Sequence, residues 1–114
     1  MPSDRMRRVD EAVREVLSDA INADLKDPRV GFVTVTAVQT SQDLRQARVF
    51  VSVLGDDAVR ERSLEGLRSA HGYLQRRVGD RLRMKNTPTL EFAYDDSLDR
   101  SLRINEILGE GPGE

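Results

Sequence analysis

Apolar side chains recur at Val9, Val13, Val16, Leu17, Ala20, Ile21 and Leu25, spacings of three, four and seven that line one face of a helix. The opposite face carries Asp10, Glu11, Arg14 and Glu15. Ser3 is a candidate cap at the start, and Asp27-Pro28 ends the pattern because a residue before proline avoids the α region. A first helix from about Asp4 to Lys26 is therefore expected. Two runs rich in β-branched residues follow, Val30 to Val38 and Ala47 to Leu54. The short polar link SQDLRQ joins them as an antiparallel hairpin with a longer than minimal loop, and Val49, Val51 and Val53 are expected to face helices.

Asp56 or Asp57 can cap the next helix, whose stripe runs through Leu64, Leu67, Ala70, Leu74, Val78 and Leu82. As one rod this pattern of about 27 residues would span about 40 Å, too long for so small a domain. Gly72 and Gly79 lie inside it, each costing about 1 kcal/mol relative to Ala in a helix, and a break at one of them is expected. From Pro88 to Tyr94 the alternation of Leu90, Phe92 and Tyr94 predicts a third strand, reached by a crossover long enough for parallel pairing. Beyond it, Leu98, Leu102, Ile104, Ile107 and Leu108 suit one short helix capped by Asp96 or Ser97, and 109–114 has the composition of a frayed tail. Phe32, Phe50, Phe92, Tyr73 and Tyr94 fall mostly at patterned positions and are expected in the core. That leaves no aromatic platform for base stacking and favours recognition of backbone and shape.

The 114 residues fit one domain able to fold without staples. No cysteine is present, which excludes a disulfide framework, a thiol nucleophile and thiolate metal sites, and points to a cytoplasmic protein. The start of the chain is charged from its fourth residue, and nothing approaches the roughly 20 apolar residues of a membrane span, so no membrane partner is expected. Net charge is only −2, yet residues 68–85 carry six basic groups and one acidic, whereas 86–114 carry two and seven. The asymmetry along the chain is more informative than the total.

The basic cluster is Arg68, Arg76, Arg77, Arg81, Arg83 and Lys85. With Leu74, Val78 and Leu82 inward, Arg77 and Arg81 align four apart on an outer row, and Arg76 and Arg83 flank Gly79 and Asp80. Like charges at that spacing repel by a few tenths of a kcal/mol, with only Asp80 nearby in sequence to relieve them. A polyanionic partner explains this better than a merely solvated helix face, and RNA is the expected partner. Arg5, Arg7 and Arg8 extend the expected patch, because a helix start is a poor electrostatic place for cations unless an external anion meets them; the alternative there is a solvated helix end. The single histidine, His71, has no partner suggesting acid–base catalysis, and no phosphate-binding or HExxH motif occurs. Asp95, Asp96 and Asp99 lack the spacing of a calcium loop. No catalytic residue, metal, cofactor or small-molecule substrate is expected.

Helix, strand, strand, helix, break, helix, strand is the order of a type II KH domain, in which a GXXG joint clamps a nucleic-acid backbone. No GXXG occurs here; Ala70-His71-Gly72 stands at the joint. Together with RMRRVDEAVREVLSDAI, DPRVGFVTVTAV, SQDL, ARVFVSV and FAYDDSL, this triplet resembles the bacterial ribosome-binding factor A family, in which an Ala-x-Gly kink replaces GXXG. The resemblance implies an α+β, KH-like fold over residues 1–98, with a three-stranded mixed sheet, helices packed on one face and a C-terminal extension at 99–114. It implies a monomeric assembly factor that binds the immature 30S subunit and its 16S rRNA, and assists late maturation and rRNA processing without cleaving RNA. Gly72 would be the hinge, and His71 would join the arginines and Lys85 at the RNA. A protein–protein adaptor with a basic helix is the alternative, and a nuclease is disfavoured by the missing acid–base groups.

Overall fold

Alternation along the middle strand organises the molecule, whose computed structural model describes residues 4–97. In β2 (Gln46–Val53) Ala47, Val49, Val51 and Val53 are all buried, as expected of one strand face. β2 pairs antiparallel with β1 (Val33–Thr40) and parallel with β3 (Thr89–Tyr94), giving a mixed sheet of order β1-β2-β3. Val35 opposes Val51 and Ala37 opposes Phe50, so Thr36 is an extra residue in β1. This bulge resets the alternation: Val33 and Val35 are buried before it, Val38 after it.

Three helices cover the apolar face. α1 (Asp4–Asp19) buries Val13, Val16 and Leu17, and continues into a π-helical turn, Ala20–Asp24, closed by the Leu25 N–H on the Ala20 carbonyl at 3.0 Å. α2 (Asp57–Ser69) starts where the Asp56 carboxylate accepts the Val59 N–H at 3.0 Å, and buries Leu64 and Leu67. α3 (His71–Leu82) buries Leu74 and Val78, while β3 adds Leu90 and Phe92 to the same core. Leu17, Leu67 and Leu74 are fully buried, each contributing roughly 1.5–3 kcal/mol by leaving water. The element order is that of a type II KH arrangement.

Four expectations need correction. The first helix does not run as a plain α-helix to Lys26, since the π turn intervenes and the backbone is extended at Leu25. The first strand begins at Val33, because Asp27 to Val30 form a turn closed by the Val30 N–H on the Asp27 carbonyl at 3.0 Å. The long helical pattern breaks at Ala70, not at either glycine. Phe32 is not core: it is 81% exposed, because burial of Val33 turns its neighbour outward. Phe50 lies half-buried on the open sheet face, Tyr73 and Tyr94 pack at the core edge, and Phe92 alone of the five aromatics is fully enclosed. The expected helix through Leu98 to Leu108 and the tail after it lie outside the described residues.

Candidate nucleic-acid interface

The joint between α2 and α3 is a single residue. Ala70, at φ −93° and ψ 8°, receives the end of one helix and begins the next: its N–H meets the Gly66 and Leu67 carbonyls at 3.1 Å, and its carbonyl accepts the Leu74 N–H at 3.0 Å. Its small side chain packs against the core, so a larger residue would meet the core at the bend. Gly72 is the second residue of α3, and a Cβ there would meet only the Arg76 Nη1 at 4.0 Å. Nothing among the described residues demands a glycine at this place. Beside it, His71 Nδ1 lies 3.0 Å from the Arg68 carbonyl; a carbonyl only accepts, so Nδ1 donates and Nε2 is left for solvent or a ligand. The Arg68 Nη2 donates to the Phe92 carbonyl at 3.3 Å, holding that guanidinium across to β3.

Along α3 the arginines divide. Arg77 and Arg81 turn back to the first helix, where Arg77 Nη2 lies 3.1 Å from Asp24 and Arg81 Nη2 lies 3.9 Å from Asp19. The repulsion between them is therefore relieved by carboxylates distant in sequence, not by Asp80 alone. Residues four apart on α3 are matched by residues five apart on the other side, a spacing that a regular α-helix would place on different faces. The π turn between Asp19 and Asp24 supplies the extra residue. Arg76, Arg83 and Lys85 are exposed and, among the described residues, pair with no carboxylate.

Gly79 has an internal reason. A Cβ there would fall 2.5 Å from the Thr87 hydroxyl oxygen, so the glycine lets the link between α3 and β3 fold back against the helix. Arg83 caps α3 in the left-handed region, φ 51° and ψ 44°, and the Met84 N–H closes on the Gly79 carbonyl at 3.2 Å. At the start of α1, Arg7 pairs with Asp4, while Arg5 and Arg8 are exposed. The Asp10 carboxylate accepts the Thr40 N–H at 2.9 Å, which brings the early turns of α1 to the end of the sheet where β1 turns into β2.

The DPRVG segment does a different job from the arginines of α3. Asp27 accepts from Arg29 through its backbone N–H at 2.9 Å and its guanidinium at 2.7 Å, and Glu65 of α2 meets the same guanidinium at 3.3 Å. The Arg29 side chain, and next its backbone N–H, hold the Asp27 pKa down at about 2. Fully buried Ser63 receives the Gly31 N–H at 3.1 Å and donates to the Arg29 carbonyl at 3.4 Å. These bonds fasten the turn before β1 to α2.

Among the described residues no helix is long and apolar enough to cross a membrane, and no group of three or more His, Asp or Glu could hold a metal ion. The sequence pattern of the family described as ribosome-binding factor A matches residues 5–108. The chain belongs to the ribosome-binding factor A family. It is 47% identical to ribosome-binding factor A of Halothermothrix orenii over 108 residues, covering 95% of this chain and 88% of that one. Identity to ribosome-binding factor A of Desulforamulus reducens is 44% over 108 residues, 95% of this chain and 90% of the other. The crystal structure of ribosome-binding factor A from Thermus thermophilus superposes with a TM-score of 0.70 at 30% identity, over 78% of this chain and 94% of that one. A homology model of the Thermus protein, as fitted into the cryo-EM map of a 30S complex, gives a TM-score of 0.65 at 31% identity, over 76% of this chain and 91% of that one. The α+β fold expected from the sequence is thus the fold of the ribosome-binding factor A structures.

Proposed function

We propose that this chain is an assembly factor that binds the immature 30S subunit through its 16S rRNA and assists late maturation and rRNA processing by occupancy, without catalysing cleavage. Family membership supports the ribosome as partner, and a structural neighbour has been fitted into a 30S complex. One observation carries the residue assignment: Arg76, Arg83 and Lys85 project from α3 and its end with no carboxylate among the described residues to neutralise them. Phosphate contacts from such side chains position a protein on RNA and supply most of its salt-dependent affinity. Arg68 and His71 extend the surface at the kink, Arg5, Arg7 and Arg8 extend it from α1, and Arg77 and Arg81 contribute after sharing their charge with Asp24 and Asp19. The KH-like domain of residues 1–98 works as a cytoplasmic monomer, with 99–114 as an extension.

A protein–protein adaptor draws on a different feature, Phe32 and Leu54, which are 81% and 74% exposed and linked by a backbone hydrogen bond of 3.1 Å. Cosedimentation with small subunits at graded salt separates the readings. The wild-type chain should associate, and the double variant Arg76→Gln, Arg83→Gln should flatten the log–log salt dependence by roughly 0.7–0.9 for each phosphate that is no longer neutralised. Association unchanged in the double variant would sink the residue assignment; no association of the wild type would favour the adaptor.

A further inference from the structure

A cleft of about 950 Å³ opens where the β1–β2 loop faces the link between α3 and β3. Among the described residues three cations line it, Arg45 from the loop and Arg83 and Lys85 from the link, against one carboxylate, Asp43. Asp43 is turned into its own loop: one oxygen takes the Ser41 hydroxyl at 2.7 Å and the Arg45 N–H at 3.0 Å, and these bonds hold its pKa below the usual carboxylate value. Its pair with the Arg45 side chain is 3.9 Å long between groups 62% and 86% exposed, too weak to neutralise the arginine. Arg83 and Lys85 have no charged partner among the described residues.

The backbone around this cleft is fixed. The Thr89 N–H donates to the Arg45 carbonyl at 2.8 Å, tying the loop to the start of β3, and the close approach of Thr87 to Gly79 sets the facing wall. The two non-glycine residues with positive φ among those described, Leu44 at 59° and Arg83 at 51°, both line it. Both hold a conformation that side chains adopt at a cost, and such residues gather at ligand clamps. The negative end of α3 accounts for cations in its own last turn, but Arg45 is brought to the cleft by the β1–β2 loop, outside that helix.

We propose that this cleft is a second seat for the rRNA phosphodiester backbone, with Arg45 as a contact residue that the basic stretch at 68–85 does not contain. The proposal rests on the rRNA-binding reading above. It extends the RNA path from the Ala70 kink along α3, about 18 Å for its 12 residues, and past the helix end onto the β1–β2 loop. The early turns of α1, carrying Arg7 and Arg8, lie toward the same end of the molecule.

The test measures binding of the full chain to purified small subunits and, separately, to a 16S rRNA transcript, across a salt series. Arg45→Gln should lower the log–log slope by about 0.7–0.9 on both probes, and Arg45→Lys should restore most of it. Arg48→Gln is the control, since Arg48 lies on the open sheet face 3.4 Å from Glu91 and outside the cleft; its slope should match the wild type. Melting temperatures establish that each variant folds. An unchanged slope for Arg45→Gln, with a lowered slope for Arg76→Gln, which lies outside the cleft, would overturn the cleft and leave the function standing. Weakening on subunits but not on the transcript would overturn rRNA as occupant in favour of an acidic protein surface. If the wild type bound neither probe, both readings would fall.

Discussion

At the DPRVG corner the Arg29 guanidinium lies between two carboxylates, Asp27 at 2.7 Å and Glu65 at 3.3 Å, whereas at the end of α3 Arg83 lines a cleft with no carboxylate among the described residues paired to it. Both residues are arginines, and both lie beside a turn. One is spent on the fold: it holds the approach to β1 against α2. The other is exposed, with no charged partner among the described residues. Arg77 and Arg81 stand between these extremes, each shared with an aspartate on the π turn or just before it. Availability of charge is set by what the fold places opposite each guanidinium, and the count of arginines does not report it.

Crowding the glycine behind each region should part them most strongly. A Cβ at Gly66 would fall 2.6 Å from a Val30 methyl at the DPRVG corner, and one at Gly79 would fall 2.5 Å from Thr87 behind the cleft. Gly66→Ala and Gly79→Ala should each cost roughly 1–3 kcal/mol in denaturant unfolding. Only Gly79→Ala should also weaken small-subunit binding per folded molecule; equal binding by the two variants would erase the distinction. Gly72→Ala, with open space around it, should instead gain up to about 1 kcal/mol from helix propensity.

A smaller effect separates shared from free arginines. Arg77→Gln should lower the salt slope by less than half of the roughly 0.7–0.9 expected for Arg76→Gln, because Asp24 already neutralises part of the Arg77 charge. Asp24→Asn should move the affinity the other way, tightening binding severalfold. Equal slopes for the two arginine variants, with no gain from Asp24→Asn, would mean that the ion pair does not compete with RNA.

The smallest effect is in acid. The Asp27 pKa in the folded chain, about 2, lies below its ordinary 3.8, so its contribution to stability is present above the ordinary value and is lost as pH falls toward 2. Asp27→Asn should therefore flatten the acid limb of a stability curve over that interval while leaving the salt slope of binding unchanged. An acid limb identical to the wild type would show that the corner is not held by this carboxylate.

Much of this molecule is legible in one dimension. The stripe through Val13, Val16, Leu17, Ala20 and Ile21, the alternation of β2, the parallel third strand and the existence of a break in the long helical pattern follow from local period and length, whereas the place of the break, Ala70 and not either glycine, does not. Of the basic residues expected at RNA, Arg76, Arg83 and Lys85 are placed by the fold as exposed cations that pair with no carboxylate among the described residues. Local patterns did not reveal that Gly79 is shaped by Thr87, or that Phe32 would be turned to solvent when Val33 took the core position. Asp19 and Asp24 carried a faint signal in their spacing of five, readable only once a partner helix with cations four apart was known.

What the sequence by itself determined was periodicity: which side chains point the same way along each helix and strand, and so which must leave water together. Arg45 is joined to Arg83 and Lys85 only because β3 returns parallel to β2 and bonds the loop through Thr89. Arg77 is muted only because α1 lies against α3. The tertiary structure decided which charges meet, because Coulomb energy depends on distance in space and on the solvent between groups, neither of which is recorded by order along the chain.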